Sequence, residues 1–150
     1  MRLSRHSEVA LRALIYLAAQ PRRLTSISDI ARSLEVSHNH LMKIVPKLRK
    51  GGFVESVRGR RGGIQLARDA KGMRMAEVIR HTEPSYVMQD WSRHAASQVS
   101  NAVQSATEAF MAALDGYTIA DLIPDQPQPA ASDNRRMKAI GIRGNPARLS

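Results

Sequence analysis

The sequence predicts a mainly α-helical fold that contains one small β-hairpin. Three segments near the N-terminus carry apolar residues at helical spacing. Two short runs with strand-like alternation, FVESV and GIQLA, follow them, and a long helical pattern covers residues 95–116. Apolar residues make up 43% of the chain but aromatic residues only 4%, so the predicted core is mostly aliphatic.

The first predicted helix covers residues 7–20, SEVALRALIYLAAQ. Ser7 is the expected N-cap, and Glu8 lies in the first turn, where the helix dipole favours an anion. Pro21 is expected to end the helix. Arg12 interrupts the apolar stretch, so we interpret the segment as a buried helix of a cytoplasmic protein and not as a signal peptide.

The second predicted helix lies in TSISDIARSLEVS and is short. Ser26 or Ser28 can cap it, and its apolar residues share one face. A tight connection is expected at Glu35 and Val36. This short helix and its turn lead directly into the third helix.

The third predicted helix is SHNHLMKIVPKLRKGG, with Ser37 as its N-cap. Its buried stripe has the i, i+3, i+4, i+7 spacing and consists of Leu41, Ile44, Val45 and Leu48. Pro46 breaks the pattern, since a proline inside a helix costs about 3 kcal/mol. We therefore expect a kink at Pro46 or an irregular last turn.

The rest of the chain is predicted to form a fourth helix, a loop, a long helix and a tail. RMAEVIRHTE has a helical pattern, and EPSYVMQDWSRH reads as a loop broken by Pro84. The long helix has a narrow apolar seam suited to packing against another helix, formed by Val99, Val103, Ala106, Phe110 and Ala113. YTIADLI follows as a short helical turn. Residues 124–150 lack periodicity and are expected to be a disordered tail.

The net charge is unevenly distributed along the chain. Residues 1–68 contain 14 Lys or Arg against 4 Asp or Glu, whereas residues 69–150 contain nine of each. A basic part joined to a neutral part suggests a polyanionic partner for the first, and nucleic acid is the leading candidate. An anionic membrane is the alternative, but no segment combines a basic face with a Trp/Phe/Leu face, and no run of ~18 apolar residues exists.

Three helices followed by a hairpin is the order of a winged helix-turn-helix domain. The third helix would enter the major groove, where Asn pairs bidentately with adenine and Lys with guanine. The residues expected to reach base edges are Ser37, His38, Asn39, His40 and Lys43. Those expected to contact phosphates are Lys47, Arg49 and Lys50, with Arg5 as a further candidate.

The hairpin would be the wing, and its tip is rich in arginine and glycine. Arg58, Arg60 and Arg61 suit the narrow, electronegative minor groove or the DNA backbone beside it. Glycines around these arginines allow the tip to turn with positive φ and to approach the backbone closely. The basic tip thus supports double-stranded DNA as the partner.

No enzymatic motif is present in the sequence. The chain contains no cysteine, which excludes disulfides, thiolate metal sites and cysteine nucleophiles. The string HNH at residues 38–40 is a chance match to the name of a nuclease motif, because residues 38 and 40 point to different sides of a helix. RGRRGG lacks the G-x-x-x-x-G-K-[ST] pattern of a phosphate-binding loop and leads into a strand. We therefore predict a non-enzymatic protein.

The chain resembles the BadM/IscR/NsrR family of bacterial winged-helix repressors, also written Rrf-two, over residues 1 to about 123. Within that family it is most similar to the nitric-oxide-sensitive NsrR branch, which has SxNH at the start of the recognition helix and LDxYTLADL near the end. The matching strings are LRALIYLA (11–18), TSISDIA (25–31), VSHNHLMKIVPKL (36–48), VRGRRGGIQLA (57–67) and LDGYTIADLI (114–123).

The resemblance implies a homodimeric repressor with a defined domain order. The DNA-binding domain covers residues 1–82, a sensor-type loop 83–96, and the dimerisation helix with its terminal turn 97–123. The long helix crosses its mate, which matches the seam at Val99, Val103, Ala106 and Phe110. Two recognition helices then read a partly palindromic operator.

The resemblance also implies an iron–sulfur cluster, and here the sequence departs from the family. NsrR-like proteins hold the cluster with three cysteines in the loop, and an acidic residue near the start of helix 1 of the other subunit can supply a fourth ligand. Glu8 fills the acidic position, but Ser97 stands where the last cysteine belongs, and the second falls near Trp91. We predict no cofactor and a cluster-free regulator that binds DNA in the apo form.

Three alternatives remain at the level of sequence. Glu8, Asp90, His94 and also His81 could form a replacement metal site in a nitric-oxide or iron sensor. A heme or small-molecule pocket could lie beside Trp91, Tyr86 and Met88. The chain could also be an interaction protein that forms mixed dimers with a cysteine-containing paralogue, although such a partner has no use for a strongly basic half.

Overall fold

A computed structural model describes residues 3–21, 23–59, 62–83 and 98–124. These residues form a mainly helical fold with one antiparallel hairpin, which confirms the predicted fold class. Two short 3₁₀ turns are also present. The one at Ala120–Leu122 confirms the short helical turn predicted in YTIADLI, whereas the one at Ala70–Gly72 was not predicted. The helices and strands are α1 (Arg5–Ala18), α2 (Ile27–Leu34), α3 (His38–Lys50), β1 (Val54–Val57), β2 (Gly63–Leu66), α4 (Met75–Thr82) and α5 (Gln98–Asp115).

Helix α1 begins earlier than predicted, and Ser7 is not its N-cap. The hydroxyl of Ser4 accepts the backbone N–H of Ser7 at 3.2 Å and caps the helix. Ser7 is fully buried, and its Oγ accepts a bond from Thr82 Oγ1 at 2.8 Å. The helix also ends at Ala18, before Gln20, because a residue that precedes proline disfavours the α-helical conformation.

Helices α2 and α3 form a helix-turn-helix pair, as predicted. Ser26 caps α2 and Ser37 caps α3, each accepting the backbone N–H three residues ahead at 3.1 Å. Between the helices, Glu35 adopts the left-handed conformation with φ 56°, and the N–H of Val36 donates to Ala31 O at 3.0 Å. This closure satisfies carbonyls at the end of α2 and turns the chain sharply into α3.

The last turn of α3 is regular, so of the two alternatives expected at Pro46 the irregular last turn is wrong, while the kink stays a prediction. Residues up to Lys50 are helical, and Gly51 N–H donates to Lys47 O at 3.1 Å. Pro46 and Met42 both lie on the exposed side of α3. The Met42 carbonyl, which loses its helical partner at the proline, is therefore on the side of the helix that water reaches.

Strands β1 and β2 pair in antiparallel register, with Val54 opposite Leu66 and Val57 opposite Gly63. The backbone of Thr25, just before α2, adds a bridge to Ile64 with N–O distances of 2.9 and 3.0 Å. The hairpin is therefore tied to the helix-turn-helix pair by backbone bonds.

The core lies between α1, α3, α4 and the base of the hairpin. Leu14 and Leu17 of α1, Leu48 of α3 and Ile79 of α4 are almost completely buried. Helix α5 packs on α4 through Met111, and Ile119 in the chain after α5 is also buried. No helix within the described ranges is both long and apolar enough to cross a membrane.

Several predicted features lie outside the described residues. These are the sensor-type loop after Glu83, the tail after Pro124, and the wing residues Arg60 and Arg61.

Candidate nucleic-acid interface

The outer face of α3 is polar because its apolar stripe points into the core. Leu41, Ile44, Val45 and Leu48 are all buried, as the spacing predicted. The opposite face of the helix is open to solvent. Most polar side chains of α3 therefore face solvent, with His40 and Lys47 only partly exposed.

The N-cap and first turn of α3 carry exposed polar side chains. Ser37, His38 and Asn39 are exposed, and Lys43 follows one turn later on the exposed surface. His40 differs, because it is half-buried and its ring centroid lies 6.1 Å from that of His6 on α1. The structure thus brings Asn39 and Lys43 together at the surface, while His40 is partly turned toward α1.

The three cations near the end of α3 have two different environments. Arg49 and Lys50 are exposed. Lys47 is half-buried, and its ammonium Nζ donates to the backbone carbonyl of Thr82 at 2.9 Å. Arg5, the further candidate for a phosphate contact, is exposed at the start of α1.

The wing is the hairpin formed by β1 and β2 with its tip. Arg58, directly after β1, is exposed. Gly59 has a φ of 114°, and Gly62 N–H donates to Gly59 O at 2.9 Å, which closes the tip. A residue with a side chain would be strained at such a φ, so glycine is required at position 59. The sequence pattern therefore located a real turn beside Arg58.

Met42 is an apolar surface residue on α3 that was not predicted to contact DNA. It is 48% exposed on the outer face of α3, between Asn39 and Lys43 and one turn before Pro46. Its position outside the apolar stripe of α3 is the signal that could have identified it, since an apolar residue off that stripe must face solvent.

His6 carries the clearest electrostatic perturbation next to α3. Burial lowers the pKa of His6, and the nearby charges of Lys47 and His40 lower it further, while Glu83 acts in the opposite direction. Its Nε2 is buried and has no hydrogen-bond partner within the described ranges. Burial and these two neighbouring groups therefore disfavour the protonated form of His6.

Of the four seam positions on α5 that were assigned to dimerisation, two are exposed and two are half-buried. Val99 is 66% exposed and Ala106 is exposed, whereas Val103 and Phe110 are half-buried. Phe110 packs partly against the core of its own chain. Val99, Ala106 and also Ala113, the fifth residue of the predicted seam, are therefore open to contact with a second molecule.

The residues present do not fit an iron–sulfur cluster of the thiolate type. The chain has no cysteine, and no group of three or more His, Asp or Glu side chains in the described ranges is arranged to hold a metal ion. Glu8, the acidic candidate, is exposed and lies 4.0 Å from Arg12 one turn along α1. Asp90 and His94 lie outside the described residues.

The fold and this polar helix face can be compared with known proteins. Residues 3–125 match the model of the Rrf2 family, which is described as "Iron-dependent Transcriptional regulator". The chain belongs to the Rrf2 family. It is therefore a transcriptional regulator and not an enzyme, and DNA binding by a winged helix is the family's mode of action.

Solved structures of Rrf2 regulators have the same fold. The chain is similar to T. potens IscR, with a TM-score of 0.71, 25% identity, and coverage of 91% of this chain and 96% of that one. For oxidised CymR of Staphylococcus aureus the TM-score is 0.60 and the identity 27%, with coverage of 80% of this chain and 94% of that one. For CymR (YrzC), the global cysteine regulator of B. subtilis, the TM-score is 0.59 and the identity 25%, with coverage of 81% of this chain and 95% of that one.

Proposed function

We propose that this Rrf2 regulator is a homodimeric, cytoplasmic transcriptional repressor that reads a partly palindromic operator without an iron–sulfur cluster. The observation that carries the proposal is the exposed polar first turn of α3, in a fold that also presents the exposed Arg58 on the hairpin. The concentration of the positive charge in residues 1–68 supports DNA as the partner.

Base reading is assigned to the outer face of α3. The Asn39 amide can both donate to and accept from an adenine edge, and Lys43 can donate to guanine acceptors. Ser37 and His38 lie in the same exposed turn. Met42, between these polar groups, is suited to an apolar contact with the methyl group of thymine.

Phosphate contacts are assigned to the exposed cations around this face. Arg49 and Lys50 lie at the end of α3, and Arg58 lies on the wing. Arg60 and Arg61 follow Arg58 in the sequence and would extend the wing's positive charge into the minor groove. Such contacts fix the position of the protein without selecting a sequence.

Dimerisation through α5 would set the distance between two recognition helices. A two-fold dimer reads half-sites about one helical turn apart, or a multiple of that distance. The exposed Val99 and Ala106 are the parts of the seam that a second molecule can cover. Occupation of a promoter by the dimer would then block transcription.

The NsrR-like string SHNH at the start of α3 supports an operator of the NsrR type, but the donor set argues against its cluster. Hard carboxylate oxygens and borderline imidazole nitrogens alone do not replace three soft thiolates as ligands for an iron–sulfur cluster. We therefore assign DNA binding to the polypeptide itself. The family's description as iron-dependent does not carry over to this chain's residues.

Selection of bound duplexes from a random pool tests this proposal. The purified protein should enrich one sequence with two-fold symmetry, and its footprint should cover both half-sites. Recovery of DNA without any shared sequence would contradict operator recognition. Enrichment of a single half-site by a monomer would instead contradict the dimer.

A further inference from the structure

Lys47 is the one predicted phosphate contact on α3 that does not face outward. Its neighbours Pro46 and Arg49 are exposed, whereas Lys47 is half-buried. Its Nζ donates to the carbonyl oxygen of Thr82, at the last residue of α4, at 2.9 Å. Carbonyls in the last turn of a helix lack helical partners, and a cation there is favourable because the dipole is negative at that end.

A second bond joins the same two helix ends in the opposite direction. His81 Nε2 lies 2.7 Å from the backbone oxygen of Lys47. A carbonyl oxygen only accepts, so Nε2 must carry the proton and donate. The ring is held in place by Phe53, with ring centroids 5.6 Å apart, and by Gly51, where a Cβ would come within 2.8 Å of the ring. Position 51 therefore has to be glycine for His81 to reach α3.

The end of α4 is in turn fixed to the central helix α1. Thr82 Oγ1 donates to Ser7 Oγ at 2.8 Å, and Ser4 N–H donates to Glu83 Oε1 at 2.8 Å. Ser7, Thr82 and Glu83 are all buried. The anchor to which α3 is tied is therefore a buried, hydrogen-bonded part of the fold and not a surface turn.

We propose that Lys47 and His81 are positioning residues, which hold α3 at the angle required for base reading, and that Lys47 does not contact phosphate. The proposal rests on the proposed function, since it concerns how α3 is oriented on DNA. Helix α3 has 13 residues and is therefore about 20 Å long. A rotation of a few degrees about its anchored end would displace the first turn by about 1 Å, enough to weaken bidentate base contacts.

The test compares Lys47→Met with the matched control Lys50→Met on the operator selected by the wild-type protein. Each variant is titrated over a range of salt concentrations, on the operator and on a scrambled duplex. For Lys50→Met, the slope of log Kobs against log salt should become shallower by about 0.9, as expected for one lost phosphate contact. For Lys47→Met, the slope should stay as in the wild type, while the ratio of operator to scrambled affinity should fall about tenfold.

The ratio distinguishes positioning from a general loss of folded protein, which lowers both affinities equally. His81→Leu is the second variant and should show the same fall in the ratio of operator to scrambled affinity. It keeps the test usable if circular dichroism shows that Lys47→Met is unfolded. The double variant should lose no more than the larger single loss, because both side chains serve one connection.

Two outcomes would overturn the assignment. A slope that becomes shallower by about 0.9 in Lys47→Met would make Lys47 a phosphate contact. An unchanged slope with an unchanged ratio in both single variants would mean that the connection does not position α3. A wild-type protein that prefers no duplex would instead refute the proposed function before any variant is compared.

Discussion

Asn39 is the residue on which sequence recognition should depend most directly. It is exposed in the first turn of α3, and its amide has the donor and acceptor that adenine requires. We expect Asn39→Ala to relax the preference at one A·T pair by about 1–3 kcal/mol and to leave the other positions unchanged. Binding to operators substituted one base pair at a time measures this effect.

The exposed cation Lys50 provides the control for Asn39. Lys50→Ala should weaken binding to all these operators by a similar factor, since a phosphate contact carries no base information. An Asn39→Ala variant that also weakens all sites equally would contradict base reading by Asn39.

His6 should make the stability of the protein depend on pH. Burial lowers its pKa below the ordinary value of 6.5, so below about pH 6.5 the unfolded chain takes up a proton that native His6 resists. The free energy of unfolding should therefore decrease as the pH falls through this range. His6→Gln should have a weaker pH dependence in urea denaturation between pH 8 and 5.

Three charged or titratable groups surround His6 and must be unchanged in this comparison: Lys47, His40 and Glu83. His38→Gln, on the exposed first turn of α3, is the matched control and should retain the wild-type pH dependence. If His6→Gln retains it as well, another group is responsible for the acid sensitivity.

At the scale of elements, the wing depends on a close backbone approach at Gly63. A Cβ at this position would lie 2.7–2.9 Å from backbone atoms of Thr25. Gly63→Ala must therefore push the hairpin away from the segment before α2, at a cost of about 1–3 kcal/mol. Gly72→Ala is the control because a Cβ there has no neighbour within 4 Å. Equal stability of the two variants in urea denaturation would contradict this packing.

Arg58 is the wing residue that we expect to contact a DNA phosphate. We expect Arg58→Ala to weaken operator binding and to make the slope of log Kobs against log salt shallower by about 0.9, because one phosphate neutralisation is lost. Binding titrations from low to moderate salt measure the slope. A slope equal to that of the wild type would remove Arg58 from the DNA contacts.

The elements themselves were predictable because local spacing determines which side chains can be buried. The stripe from Leu41 to Leu48 and the alternation in β1 and β2 were sufficient to locate α3 and the hairpin. The cap of α1 was not predictable, because Ser7 is bound to Thr82, 75 residues away. The environment of Lys47 escaped prediction for the same reason, since its partner is a carbonyl at the end of α4.

At the scale of the whole molecule, dimerisation should depend on the exposed part of the α5 seam. Val99 is an apolar residue that is 66% exposed in the single chain, and Val99→Glu places a charge at this position. We expect monomers in analytical ultracentrifugation and weaker operator binding, because a charge buried between two helices is costly. Asn101→Glu, exposed and on the far side of α5, should remain dimeric. A dimeric Val99→Glu variant would place the interface elsewhere.

The central claim is that this Rrf2 chain recognises its operator without a cluster. The most direct measurement is operator binding by protein purified without oxygen, with the visible spectrum and iron content recorded on the same sample. We expect a colourless, iron-free dimer that binds the selected operator with full occupancy. A coloured protein with about one or more irons per subunit, whose binding is lost when the iron is removed, would contradict it.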